Sequence, residues 1–151
     1  DVLTGLEWFT GRPEVDPGNL GIVGSESGLI AASMRSDAVK AVLISGPLIL
    51  RGANGRNSWP DYYPLEELND FARSHPDKLG KVSDTLIFFD PLNFVQEYSG
   101  EMLVACPQGD RDIASPLITR LGGSGELYLN TGRGQVDDSY MESWLEERLT
   151  E

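Results

Sequence analysis

Gly24-Ser25-Glu26-Ser27-Gly28 is the stretch of this chain best suited to chemistry. A short apolar run, Leu20 to Val23, leads into it, and an Ala-rich helical stretch follows to Arg35. Strand, sharp glycine-flanked turn and helix hold a central residue at the tip of a strained turn, where it can attack a carbonyl carbon. The glycines belong to that geometry, because anything larger clashes with the neighbouring strand and helix. The centre of a Gly-x-Ser-x-Gly pattern is a hydroxyl nucleophile, and here Glu26 occupies it. Carboxylates do form acyl or alkyl intermediates, but releasing them requires a base that activates water. Ser25 and Ser27 lack glycines at the required offsets, and Ser27 reads as lending its backbone N–H to the helix start.

The elements that position this turn alternate in type. Val2, Leu6 and Phe9, with Leu3 beside them, predict an amphipathic helix over residues 1–11 ended by Gly11, and Pro13 to Gly18 is turn chemistry. A strand over Leu20 to Val23 and a helix from about Gly28 to Met34 frame the turn. Ala38 to Ser45 suits a strand buried on both faces of a parallel sheet. Residues 48–83 loosen into an insertion: Trp59, Tyr62 and Tyr63 cluster there as a lid, a ligand wall or plain packing, and Leu65 to Ser74 fits a short helix. Thr85 to Phe89 fits strand or helix, with Pro91 interrupting. Met102 to Cys106 is a clearer strand, followed by a loop over 107–116, a helix over Ser115 to Leu121 and a strand over Glu126 to Leu129. A closing helix, about Asp138 to Leu149, carries Met141, Trp144, Leu145 and Leu149 on one face. The expectation is one α/β domain over 1–151, with about four parallel strands and flanking helices. Functional loops then belong at the carboxyl ends of the strands: 24–28, 109–116 and 130–135.

Composition narrows the partners. The 151 residues are 40% hydrophobic, enough for a real core, and the formal net charge is −12. Phosphate binding needs the opposite sign, so nucleic acid and anionic membranes are excluded as expected partners. No apolar run reaches the roughly 20 residues of a membrane span. One cysteine, Cys106, excludes an internal disulfide and fits the cytoplasm or another reducing soluble compartment. With one histidine as well, His75, a His/Cys metal cluster cannot be built, and no cofactor is expected. His75 precedes Pro76 and reads as a surface residue, with a displaced base as the alternative.

The run WFTGRPEVDPGNLGIVGSESG, then AVKAVLISGP, then EMLVACPQGDRD resembles the C-terminal half of serine-type α/β-hydrolases. It is most similar there to the dienelactone-hydrolase and acyl-CoA thioesterase/bile-acid acyltransferase branches, Ile44-Ser45-Gly46-Pro47 favouring the latter. The resemblance implies an elbow nucleophile, an acid after a later strand and a histidine after the last. Asp112 in Gly109-Asp110-Arg111-Asp112 stands at the acid position, with helix capping by Asp110 and Asp112 as the alternative. Arg133 stands where the histidine belongs, and a guanidinium cannot shuttle protons. Glu26 and Arg133 are expected to form an ion pair across a chemically dead site. The resemblance also implies earlier strands, including the loop that gives the second oxyanion N–H, so the first strand here should present an open sheet edge.

Three functions follow as expectations. The first is a degenerate hydrolase domain acting in binding or assembly as a homo- or hetero-oligomer. The second is an active esterase, thioesterase or acyltransferase using Glu26, Asp112 and His75. The third is a module binding a small acyl or aromatic ligand between Ser25, Ser27, Trp59, Tyr62 and Tyr63.

Overall fold

The structure, a computed structural model, describes residues 1–45, 65–130 and 138–150. Its centre is a four-stranded parallel sheet in the order β1 (Leu20–Gly24), β2 (Val39–Ser45), β3 (Glu101–Pro107), β4 (Gly125–Asn130). Helices α1 (Val2–Thr10), α2 (Glu26–Met34), α3 (Leu65–Ser74), α4 (Leu79–Ile87), α5 (Arg111–Leu121) and α6 (Asp138–Thr150) complete it. The expected α/β architecture is present.

Alternation along the central strands divides the core into two layers. Val42 and Ile44 of β2, with Met102, Val104 and Cys106 of β3, pack on one side against Leu29 of α2 and Leu117 of α5. Ala41, Leu43, Leu103 and Ala105 face the other side, where Met141 and Trp144 of α6 cover them. Both faces of β2 and β3 are therefore buried, which explains why their sequences read as unbroken apolar runs. The alanines let α6 lie close to the sheet. Glu126 of β4 pins that helix, accepting from Trp144 Nε1 at 2.8 Å and from Arg148 Nη2 at 2.9 Å.

Several boundaries differ from the sequence expectation. α2 begins at Glu26, two residues early, because Ser25 takes the N-cap position with an extended backbone. α5 begins at Arg111, so Pro116 lies inside a helix rather than at a loop's end. The lost bond would have gone to the carbonyl of Asp112, an exposed first-turn residue whose carbonyl lies near the solvated helix end. Residues 85–87 are helical, in α4. α1 buries only Leu6; Val2 and Phe9 are exposed, and Trp8 instead receives Arg12 at 4.7 Å over its ring. Of the insertion, α3 and α4 are described, whereas Trp59, Tyr62 and Tyr63 lie outside the described residues.

Candidate functional site

All four strands run parallel, so their carboxyl ends lie on one edge of the sheet, where the turn after β1 and the segment after β3 meet solvent. The turn after β1 does not have the expected strain. Among the described residues no non-glycine residue has a positive φ, and Gly122 alone of the glycines does. Glu26 is thus an ordinary first-turn helical residue, its carboxylate beside the positive end of the α2 dipole. It is also buried, at 3% exposure. The elbow glycines act differently from one another. At Gly28 a β-carbon would stand 2.9 Å from Ile22 Cγ2, so close packing of α2 on β1 demands glycine there. At Gly24 nothing among the described residues would meet one.

The hydroxyls beside Glu26 are exposed and engaged with each other. Ser25 Oγ and Ser27 Oγ share a hydrogen bond of 2.9 Å, and the Ser25 side chain makes no capping bond. Ser27 sits in the first turn of α2. After β3, the short 3-10 turn Gln108–Asp110 hands the chain to α5, with Asp110 at the N-cap position and Asp112 exposed in the first turn. The Asp110 side chain makes no capping hydrogen bond to α5, and the exposed Asp112 carboxylate complements the helix dipole from the first turn. His75 is placed by α3: its ring stacks on Phe71 with centroids 4.5 Å apart, and Nδ1 lies 3.3 Å from the Phe71 carbonyl. Among the described residues no hydrogen bond joins it to Asp112. Arg133, and with it the expected ion pair to Glu26, lies outside the described residues.

Two further features lie near this edge. One is a groove of about 260 Å³ between β1 and α6, lined by Val23, Leu43, Asp138, Met141, Glu142 and Leu145. The apolar spacing of α6 was visible; that Val23 would be left 60% exposed beside it was not. The other is Cys106, fully buried at the end of β3. Burial, aided by the Asp110 carboxylate, pushes its thiol up to about 11. The neutral thiol is a poor nucleophile. With the folded pKa above the unfolded one, Cys106 supports the fold fully below about pH 9, and that support is lost as pH rises toward about 11. Maleimide labelling at pH 7.5 is therefore expected to proceed only at the rate of unfolding. Fast stoichiometric labelling of the native chain would contradict this.

β1 pairs with β2 alone among the described residues, so it is an edge strand of the described sheet. No helix of the described residues is long and apolar enough to cross a membrane.

No family model and no curated protein sequence matches the chain. Solved structures do. The chain is similar to an acetyl xylan esterase from a Paenibacillus species, with 20% identity, a TM-score of 0.73, and coverage of 97% of this chain and 50% of that one. Acetyl xylan esterase 1 from a Thermoanaerobacterium species gives 18% identity, a TM-score of 0.66, and coverage of 97% and 51%. An acylaminoacyl peptidase from Pyrococcus horikoshii gives 17% identity, a TM-score of 0.55, and coverage of 99% and 25%. These are α/β-hydrolase-fold proteins, and the likeness is one of fold. The chain spans about half the length of the two esterases.

Proposed function

We propose that this hydrolase-like domain binds and assembles rather than turning over esters, completing its sheet along β1 with a partner polypeptide or a second copy. The observation that carries the reading is Glu26, a buried carboxylate in an unstrained helical turn at the place of the nucleophile. Attack needs an accessible group, and turnover of an acylated carboxylate needs a base. Arg133, which occupies the base position in the sequence, holds its protons at any physiological pH. The open side of β1 supports the assembly half of the proposal. Its backbone N–H and C=O groups on the side away from β2, which pair with no strand among the described residues, would offer a template for another strand, with Val23 beside them. The esterases of similar fold carry as much chain again, and a segment of that kind would cover this edge.

Glu26→Ser tests the catalytic half, because it restores the Gly-x-Ser-x-Gly pattern. Neither the native chain nor this variant is expected to release p-nitrophenol from p-nitrophenyl acetate faster than buffer, in burst or steady state, at high protein concentration. A stoichiometric burst from the native chain would overturn the proposal. Native mass spectrometry tests the assembly half, with a dimer or heteromer expected and Val23→Lys breaking it, since an edge lysine blocks strand pairing. A lone monomer that takes up no second chain would count against it.

The fold neighbours favour one second reading, an acyl-ester hydrolase, because two are esterases and the third is an acylaminoacyl peptidase. Within that reading, acyl-CoA thioesters and dienelactone-type esters are the substrates to try first, and a burst would point to them.

A further inference from the structure

α3 and α4 carry apolar residues at helical spacing, yet no described residue of either helix is buried. Between them runs a groove of about 380 Å³, with Leu68 and Phe71 on one wall and Val82, Thr85 and Leu86 on the other. Lys78 and Lys81 also line it. Lys78 is the N-cap residue of α4 and Lys81 lies in its first turn, so both stand near the start of that helix. A volume of this size, an apolar floor and a few polar groups to one side are the features of a small-molecule site.

The lysines bear on the ligand's charge. Most other cations of the described chain are engaged: Arg12 with Glu14, Arg35 with Asp37, Arg73 with Asp70, and Arg148 with Glu101, Glu126 and Glu147. Lys40 donates to Asn19, and Arg120 to the Leu92 carbonyl. Lys78, Lys81 and Arg111 alone make no such bond among the described residues, and two of these three border one apolar groove. Asp77 and Asp84, the nearest acids in sequence, are exposed and form no ion pair with them. Lysine stems lie well on apolar surface while their ammonium groups reach outward, so a bound anion would meet both charges at the groove's edge. The chain's net charge of −12 repels anions at long range, but beyond a Debye length of about 8 Å that field is screened.

We propose that this groove binds a free alkyl carboxylate, its chain along Leu68, Phe71, Val82 and Leu86 and its headgroup at Lys78 and Lys81. The inference does not depend on whether the strand-turn-helix site is catalytic.

Isothermal titration calorimetry of the full chain with decanoate, decyl maltoside and decyltrimethylammonium, each below its micelle threshold, tests it. Saturable one-to-one binding of decanoate is expected, with decyl maltoside weaker and the cation weakest. Replacing both exposed lysines by glutamine (K78Q/K81Q) should weaken decanoate about fivefold and leave decyl maltoside unchanged, as two exposed ion pairs would predict. Phe71→Ser should weaken both, with circular dichroism verifying that α3 remains. No saturable heat with decanoate, equal affinity for the three headgroups, or indifference to K78Q/K81Q would overturn the proposal. So would self-association through the adjoining exposed Phe88 and Phe89, abolished by Phe88→Asp and unaffected by decanoate.

Discussion

Gly100→Ala is expected to lower the stability of the chain by about 3 kcal/mol and its Tm by roughly 10 °C. A β-carbon at this position would sit 2.5 Å from the Lys40 carbonyl and nearer still to the Tyr98 phenol. Real β-carbons do not approach that closely, so either the β2–β3 pairing or the Tyr98 ring must move. Neither moves cheaply. Tyr98 is buried and donates to the Glu101 carbonyl at 3.1 Å, where burial and the Glu101 charge hold its phenol protonated well above its ordinary value. The Lys40 carbonyl belongs to a strand packed on both faces. Adding Tyr98→Phe removes the phenol oxygen but not the Lys40 contact, so the double variant should recover only part of the loss. Urea unfolding of the two variants measures both values, and a Gly100→Ala chain as stable as the native one would show that the strand start can relax.

Glu126→Ala is expected to cost about 2 kcal/mol. The Glu126 carboxylate receives both the Trp144 indole N–H and an Arg148 N–H, and Trp144 is 4% exposed. Removing the acceptor leaves a buried indole donor with no partner, which costs more than the bond itself contributes. Arg148 keeps Glu101 and Glu147, so its share of the loss is small. Glu126→Gln retains an acceptor and should lose about half as much. If the indole is the cause, Trp144→Phe and Glu126→Ala combined should fall short of the sum of their separate costs by about 1 kcal/mol. Strict additivity in urea unfolding would instead assign the effect to general charge. Because Met141 and Trp144 of α6 cover that side of the sheet, the loss should also appear as early hydrogen exchange in Ala41 and Leu43.

The sheet was legible in the sequence for a physical reason. β2 and β3 must be apolar on both faces, and Ala38 to Ser45 and Met102 to Cys106 are continuous apolar runs bounded by turn residues. The face of α6 was legible too, since Met141 and Trp144 lie on one helical stripe and both are buried. Residues 85–89 were ambiguous because a short apolar run fits both periods; the turns upstream from Leu79, including the Thr85 hydroxyl bonded to the Lys81 carbonyl at 2.8 Å, make residues 85–87 helical, with the helix ending at Phe88.

The candidate site divides in the same way. In the sequence the resemblance implies a nucleophile position at Glu26, an acid position at Asp112 and a histidine position at Arg133, and the structure places Glu26 at the start of α2 and Asp112 in the first turn of α5. Chemistry in the side chains themselves limits what those groups can do, and no fold alters the fact that arginine is a poor proton shuttle. Whether the turn is strained, and whether Glu26 is exposed, depended on where α2 begins. That start is a competition between local backbone preference at Ser25 and the packing of Gly28 on Ile22 across the strand, which only the assembled layers resolve. The groove between α3 and α4 was hidden for a related reason. The spacing of Leu68 and Phe71, and of Val82, Thr85 and Leu86, marks two amphipathic helices, but an apolar stripe in a sequence looks the same whether or not a core covers it. The sequence alone determined which residues are apolar, which are charged and in what order they come; burial, and therefore which of those groups remain available to a ligand, came from tertiary packing.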